Sequence, residues 1–140
     1  MMKLDLTKEQ YRELLRAVYL ADMVKHSMKE TKDHSKSFID AEQKLYSNYQ
    51  TFECDDLIEQ HDGVFMPSLT MESEESVHLR NYENAILEDQ IAAVLARNDL
   101  EKEIKSGNVS EDNAIETLIE LEEKYHQLIQ GKGLSALTVK

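Results

Sequence analysis

A single cysteine, Cys54, leaves the chain without an intramolecular disulfide, as suits a reducing compartment. One proline and four glycines, at positions 63, 107, 131 and 133, leave long stretches with nothing to interrupt a helix. So few glycines also argue against a phosphate-cradling loop, and the chain has no Cys-x-x-Cys, Gly-x-Ser-x-Gly or His-Glu-x-x-His motif. The usual nucleotide-binding enzymes are therefore not expected. No apolar run approaches the roughly 20 residues needed to span a bilayer. The opening Met1-Met2-Lys3-Leu4-Asp5-Leu6 lacks the apolar segment of an export signal, so the expected location is cytoplasmic.

Positive charge is scarce, and its scarcity is uneven. The net charge is −12 over 140 residues. Residues 1–50 carry nine Lys/Arg against eight Asp/Glu, whereas residues 51–140 carry seven against twenty. The second stretch repels nucleic-acid phosphates and anionic lipid, so neither nucleic acid nor membrane is an expected partner. An acidic face steers encounter with a basic protein, and acidity equally serves solubility alone.

What is present is helical periodicity, with 41% apolar residues to build a core. Thr7-Lys8-Glu9-Gln10 has the form of a capping box, and Leu6 with Tyr11 forms a hydrophobic staple around it. Tyr11, Leu14, Leu15 and Val18 follow at helical spacing, and no Gly or Pro stops this helix before residue 36. A second helix is expected over Ser37–Phe52, and Asp55–Glu59 reads as a further short helical turn. Asp62-Gly63 is a tight turn, followed by an extended apolar loop from Val64 to Leu69. Over Ser73–Lys105, Leu79, Tyr82 and Ile86 share one helical face while Leu87, Ile91, Val94 and Leu95 fall nearly opposite. A single helix would have to bury both sides, so a break is expected near Asn84–Asp89, with Asn98-Asp99 a second candidate. Gly107 ends this segment, Ser110 caps the next helix, and Gly131-Lys132-Gly133 stops it.

Three features carry chemistry. Glu75-Ser-Val-His78 and Glu123-Lys-Tyr-His126 are Glu-x-x-His pairs, two of which help to build the di-iron site of ferritin-like bundles. With Glu122 they give a candidate ligand set of Glu75, His78, Glu122, Glu123 and His126. A Glu-rich chain produces such pairs by chance, and Glu123 lies about 140° from Leu118 on the helix wheel, off the core face. Lys25, Lys29, Lys32 and Lys36 form a basic stripe if the first helix extends that far. The stripe is either a solvated face or an anion contact, including one with a second copy. Phe65, Met66 and Leu69 in the apolar loop are anchor-type residues for a partner, or else a lid folded back on the core.

Three stretches resemble a family of small acidic, mostly helical bacterial proteins of uncharacterised function. They are Leu6–Tyr11 running on to Val18-Tyr19-Leu20; Asp56-Leu57-Ile58-Glu59 with Phe65, Pro67, Tyr82-Glu83 and Leu95–Asp99; and Glu123-Lys124-Tyr125 leading to Gly133-Leu134 and Leu137. These are caps and core positions, so the resemblance implies a helical bacterial domain and no activity. Asn98-Asp99 departs from it, where an arginine or other residue is expected before the acid.

The expected fold is all-α or nearly so, an irregular bundle of about five to six helices with one apolar extended loop. Residues 1–130 are expected to form a single helical domain and 131–140 an extended or mobile tail. The expected function is a non-enzymatic cytosolic protein–protein interaction module with an acidic face. It needs no cofactor and acts on a protein partner, for which a basic protein that it inhibits and a second copy of the chain are both candidates. The alternative is a metal-dependent, di-iron-like helical-bundle enzyme built on the two Glu-x-x-His pairs.

Overall fold

A computed structural model describes residues 1–139. The chain divides into two compact units, Met1–Arg80 and Asn81–Lys140. Among the described residues are four α-helices, α1 (Lys8–His26), α2 (Lys36–Tyr46), α3 (Leu69–Lys105) and α4 (Ala114–Lys132), and two strands, β1 (Ile58–His61) and β2 (Val64–Pro67). Short 3-10 turns occupy Thr31–Asp33, Glu111–Asn113 and Gly133–Ala136. The fold is mostly helical as expected, with fewer α-helices than the five to six anticipated and a β-hairpin that was not. No helix among the described residues is long and apolar enough to cross a membrane.

The first unit is built on α1. Its start is the capping box read from the sequence: the Gln10 N–H donates to the Thr7 hydroxyl at 3.1 Å and the Thr7 N–H to the Gln10 side chain at 2.9 Å. Tyr11, Leu15 and Tyr19 recur every four residues, so one stripe of the helix enters the core. There it meets Tyr46, Tyr49, Cys54, Leu57, Ile58 and Met71. The Tyr11 ring stacks on Phe52 at 4.1 Å, and its hydroxyl donates to the Leu45 carbonyl at 2.5 Å.

Helix α1 stops at His26, which removes the expected lysine stripe. Asp22 and the Ser35 backbone hold the buried His26 ring: Nδ1 lies 2.6 Å from the Asp22 carboxylate and Nε2 accepts the Ser35 N–H at 3.0 Å. These contacts fix the tautomer and turn the chain back after one more residue. Lys32 then lies in a 3-10 turn and Lys36 starts a different helix, so Lys25, Lys29, Lys32 and Lys36 share no helical face. Lys25 sits instead over the Phe38 ring, 5.3 Å from its centre.

Helix α2 is also shorter than expected, because the chain winds through turns after Tyr46 to place Tyr49 and Phe52 against α1. Glu53 adopts a positive φ of 53° at the reversal. Residues expected as a helical turn and an apolar loop pair instead as antiparallel strands, from Ile58 opposite Pro67 to His61 opposite Val64. Asp62 and Gly63, with φ of 49° and 77°, form the two-residue connection whose twist matches paired strands. The Gln43 side chain completes the edge, donating to the Phe65 carbonyl at 2.8 Å and accepting the Phe65 N–H at 2.9 Å.

Helix α3 is unbroken through Asn84–Asp89 and Asn98-Asp99, contrary to the expected break. Met71 and Glu75 are buried in the first unit, while Ala92 and Ala96 are buried in the second. Gly107, at φ 79°, ends the helix as the sequence indicated, with the Asn108 N–H returning to the Glu103 carbonyl at 3.0 Å. Ser110 does not cap α4 with its side chain; a 3-10 turn intervenes and the helix starts at Ala114. It carries on through Gly131 to Lys132 and stops at Gly133, so the start of the expected tail is helical.

A methyl group added at Gly63 would meet nothing within 4 Å. Replacing Gly63 by Ala therefore tests backbone strain alone. The expected result is a loss of about 1 kcal/mol, seen as a lower urea midpoint with an unchanged slope.

Candidate interaction surface

The sequence-predicted ligands fall in different units, Glu75 and His78 in the first and Glu122, Glu123 and His126 in the second, and Glu75, Glu123 and His126 have other partners. In the first unit Glu75 is buried, with its carboxylate 3.5 Å from Arg16 Nε. The same guanidinium donates to Glu13 at 2.8 Å and to Glu74 at 3.1 Å. One cation thus ties three carboxylates, and the network clamps α1 to the early turns of α3. A groove of about 690 Å³ opens beside it, with the exposed His78 on its lining. In the second unit His126 Nδ1 lies 3.6 Å from Asp89, and Glu123 accepts from the Gln127 side chain. The neighbouring Tyr125 hydroxyl donates to Asp99, and that bond, with burial, pushes its pKa up to about 12. Among the described residues no group of three or more His, Cys, Asp or Glu side chains is arranged to hold a metal ion.

A second polar cluster in the first unit escaped sequence reasoning. Glu42 is half-buried beside Tyr46 and near Asp22. Burial, reinforced by the Asp22 charge, pushes the Glu42 pKa up to about 7, against a smaller opposing pull from the Tyr46 hydroxyl. Only its place in the chain was visible in sequence; the burial comes from tertiary packing. Cys54 is equally unremarkable as chemistry: it is buried, burial raises its pKa, and its thiol donates to the Phe52 carbonyl at 3.3 Å.

Of the three expected anchors, Phe65 turns inward, packing on the core with its ring 6.1 Å from Tyr49. Met66 and Leu69 are exposed. The β-hairpin divides Phe65 from Met66 because successive strand residues point to opposite faces, while Leu69 begins α3.

The second unit departs most from ordinary burial. Its buried apolar residues are Ala92, Ala96 and Ile129. Leu87 is 47% exposed, Val94 46%, Ile119 59% and Ile115 75%. Gln90, Ile91, Val94 and Leu95 line a shallow groove of about 240 Å³ on α3. Leu87, Ile91, Val94 and Leu95 were grouped on one face by the sequence, and that second apolar face had been read as a sign of a broken helix. The helix is whole, and on that face Leu87 and Val94 are exposed while Ile91 and Leu95 are partly covered.

Comparison with known protein families, curated proteins and solved structures finds no match. The resemblance to small acidic bacterial proteins accordingly stands on the residues quoted for it.

The raised Glu42 pKa has a definite sign. A carboxyl that holds its proton more tightly when folded stabilises the fold below the ordinary carboxylate range, and that contribution is lost as pH rises through about 7. Glu42→Gln is therefore expected to match the parent near pH 5 and to be more stable at pH 8. The gain is about 1–2 kcal/mol after allowing for solvent screening, measured by thermal melts at the two pH values.

Proposed function

We propose that the chain is a non-enzymatic protein-interaction module whose working surface is the apolar face of the second unit. The observation that carries this reading is the combination of a very small buried core with Leu87, Val94, Ile115 and Ile119 all exposed. Contiguous exposed apolar surface marks interaction sites, and on α3 the exposed Val94 shares a groove with Ile91 and Leu95. The binding energy comes from burying the apolar side chains, at roughly 25 cal/mol per Å² before association costs. The unit carries twelve Asp/Glu and six Lys/Arg in its sequence. Charge at the rim of an interface governs encounter rate and excludes wrong partners more than it adds affinity. In the cytoplasm, where this reading places the protein, a partner's surface would be occupied rather than chemically altered.

Arg16, by contrast, is engaged within the first unit, pairing with the exposed Glu13 and Glu74 and lying 3.5 Å from the buried Glu75. A tagged full-length chain, crosslinked in extract of its native host, is expected to appear in complexes above its own mass of 16.2 kDa. Val94→Asp, which alters an already exposed position, is expected to deplete those complexes at least tenfold while retaining the parent's helical circular dichroism. A parent chain that stays monomeric in extract, or complexes untouched by the substitution, removes the reading.

A further inference from the structure

Resting on that reading, we propose that the occupant of the α3 face is a second copy of the chain, docked antiparallel about a two-fold axis beside Ile91. Three features bear on a copy as the occupant. The first is area. The chain exposes 10499 Å². Two entirely separate compact globules of 80 and 60 residues, sharing 16.2 kDa, would together expose only about 9,000 Å². The excess, about 1,500 Å² spread over the whole chain, leaves room for the roughly 800 Å² that each partner buries in a standard stable interface.

The second feature is the pattern of the face itself. Asn84, Leu87, Ile91, Val94 and Asn98 are spaced three, four, three and four apart, the spacing of a helix–helix seam. Reversed about Ile91, Asn84 comes level with Asn98 and Leu87 with Leu95, while Val94 comes level with Glu88 on the flank of the seam. A two-fold interface requires such a patch, because each side must complement itself. The paired asparagines at the two ends fix the register, as polar residues do at isolated seam positions. The Ala92 and Ala96 side of α3 is buried on a different face of the helix, leaving the seam free.

The third is charge. Arg97 makes no ion pair among the described residues; its Nε donates to the Ala93 carbonyl at 3.3 Å. With the axis at Ile91, Arg97 comes level with residue 85 of the other copy, about 3 Å along the axis from Glu83 on the same flank. The symmetry makes that contact twice. Two acidic molecules thus meet along an apolar strip flanked by opposite charges.

The test uses purified full-length protein. Sedimentation equilibrium is expected to give twice the 16.2 kDa chain mass, with Val94→Asp raising the dissociation constant at least about 30-fold. An Ile91→Cys variant is expected to crosslink to itself on mild oxidation, and Leu87→Cys far less, since residue 87 lies away from the axis. Cys54 is buried and does not compete. A parent that is monomeric at about 100 μM overturns the proposal, as does a dimer that neither responds to Val94→Asp nor crosslinks through Ile91→Cys. If purified protein is monomeric while complexes in host extract still depend on Val94, the copy is refuted and the interaction reading survives. If neither forms, both fall.

Discussion

Ser68 uses every polar group it has, and the first unit depends on the result. Its N–H donates to the Leu57 carbonyl at 2.8 Å and its hydroxyl to the Asp56 carbonyl at 2.5 Å. The same hydroxyl accepts the Met71 N–H at 3.2 Å, capping α3, while the Ser68 carbonyl accepts from Glu72. All of this occurs in a buried residue, where an unmade bond would carry the full desolvation cost. Asp56 is in turn gripped by both terminal nitrogens of Arg12 at 2.9 Å, which holds its pKa below the usual carboxylate range. One serine and one bidentate ion pair thus connect α1, the β-hairpin and the first turn of α3.

Helix α3 leaves that junction as part of one core and ends as part of another. Near its start it contributes Met71, a large apolar side chain, to a core already rich in tyrosine. Further on it contributes two alanines, which allow close approach of a neighbour and bury little area. The second unit therefore buries few apolar side chains completely, and Leu87, Val94, Ile115 and Ile119 stay exposed to water. An acidic exterior keeps such a surface from unselective aggregation, since net charge far from zero opposes association without complementarity.

Parts of this were legible in sequence because they are local. The Thr7–Gln10 box involves one turn of chain, and the turn at Asp62-Gly63 and the end of α3 at Gly107 follow from the backbone freedom of glycine. The apolar groups were assigned correctly to helical faces, including Leu87, Ile91, Val94 and Leu95. The inference of a break was wrong because it assumed that both faces must be buried within one chain. Ile58 and Glu59 were misread as a helical turn, and the extended Val64–Pro67 as an unpaired loop, because four-residue segments carry too little periodicity to reveal strand pairing. Gln43, more than twenty residues away in sequence, helps to settle the matter by bonding the backbone of Phe65.

By itself, then, the sequence determined where helices begin and turn, the chain's acidity and its lack of standard catalytic motifs, since these depend on neighbouring residues or on composition. Only the tertiary structure decided where α1 ends, because the buried His26 ring captures the Ser35 N–H from across a loop. It also turned Glu75 from a ligand candidate into the partner of Arg16, and Phe65 from an anchor into a core residue. The exposed face of α3 belongs to the same class. Periodicity marks a side chain as apolar and gives its direction from the helix, but whether anything meets it there depends on groups distant in the chain, or outside it.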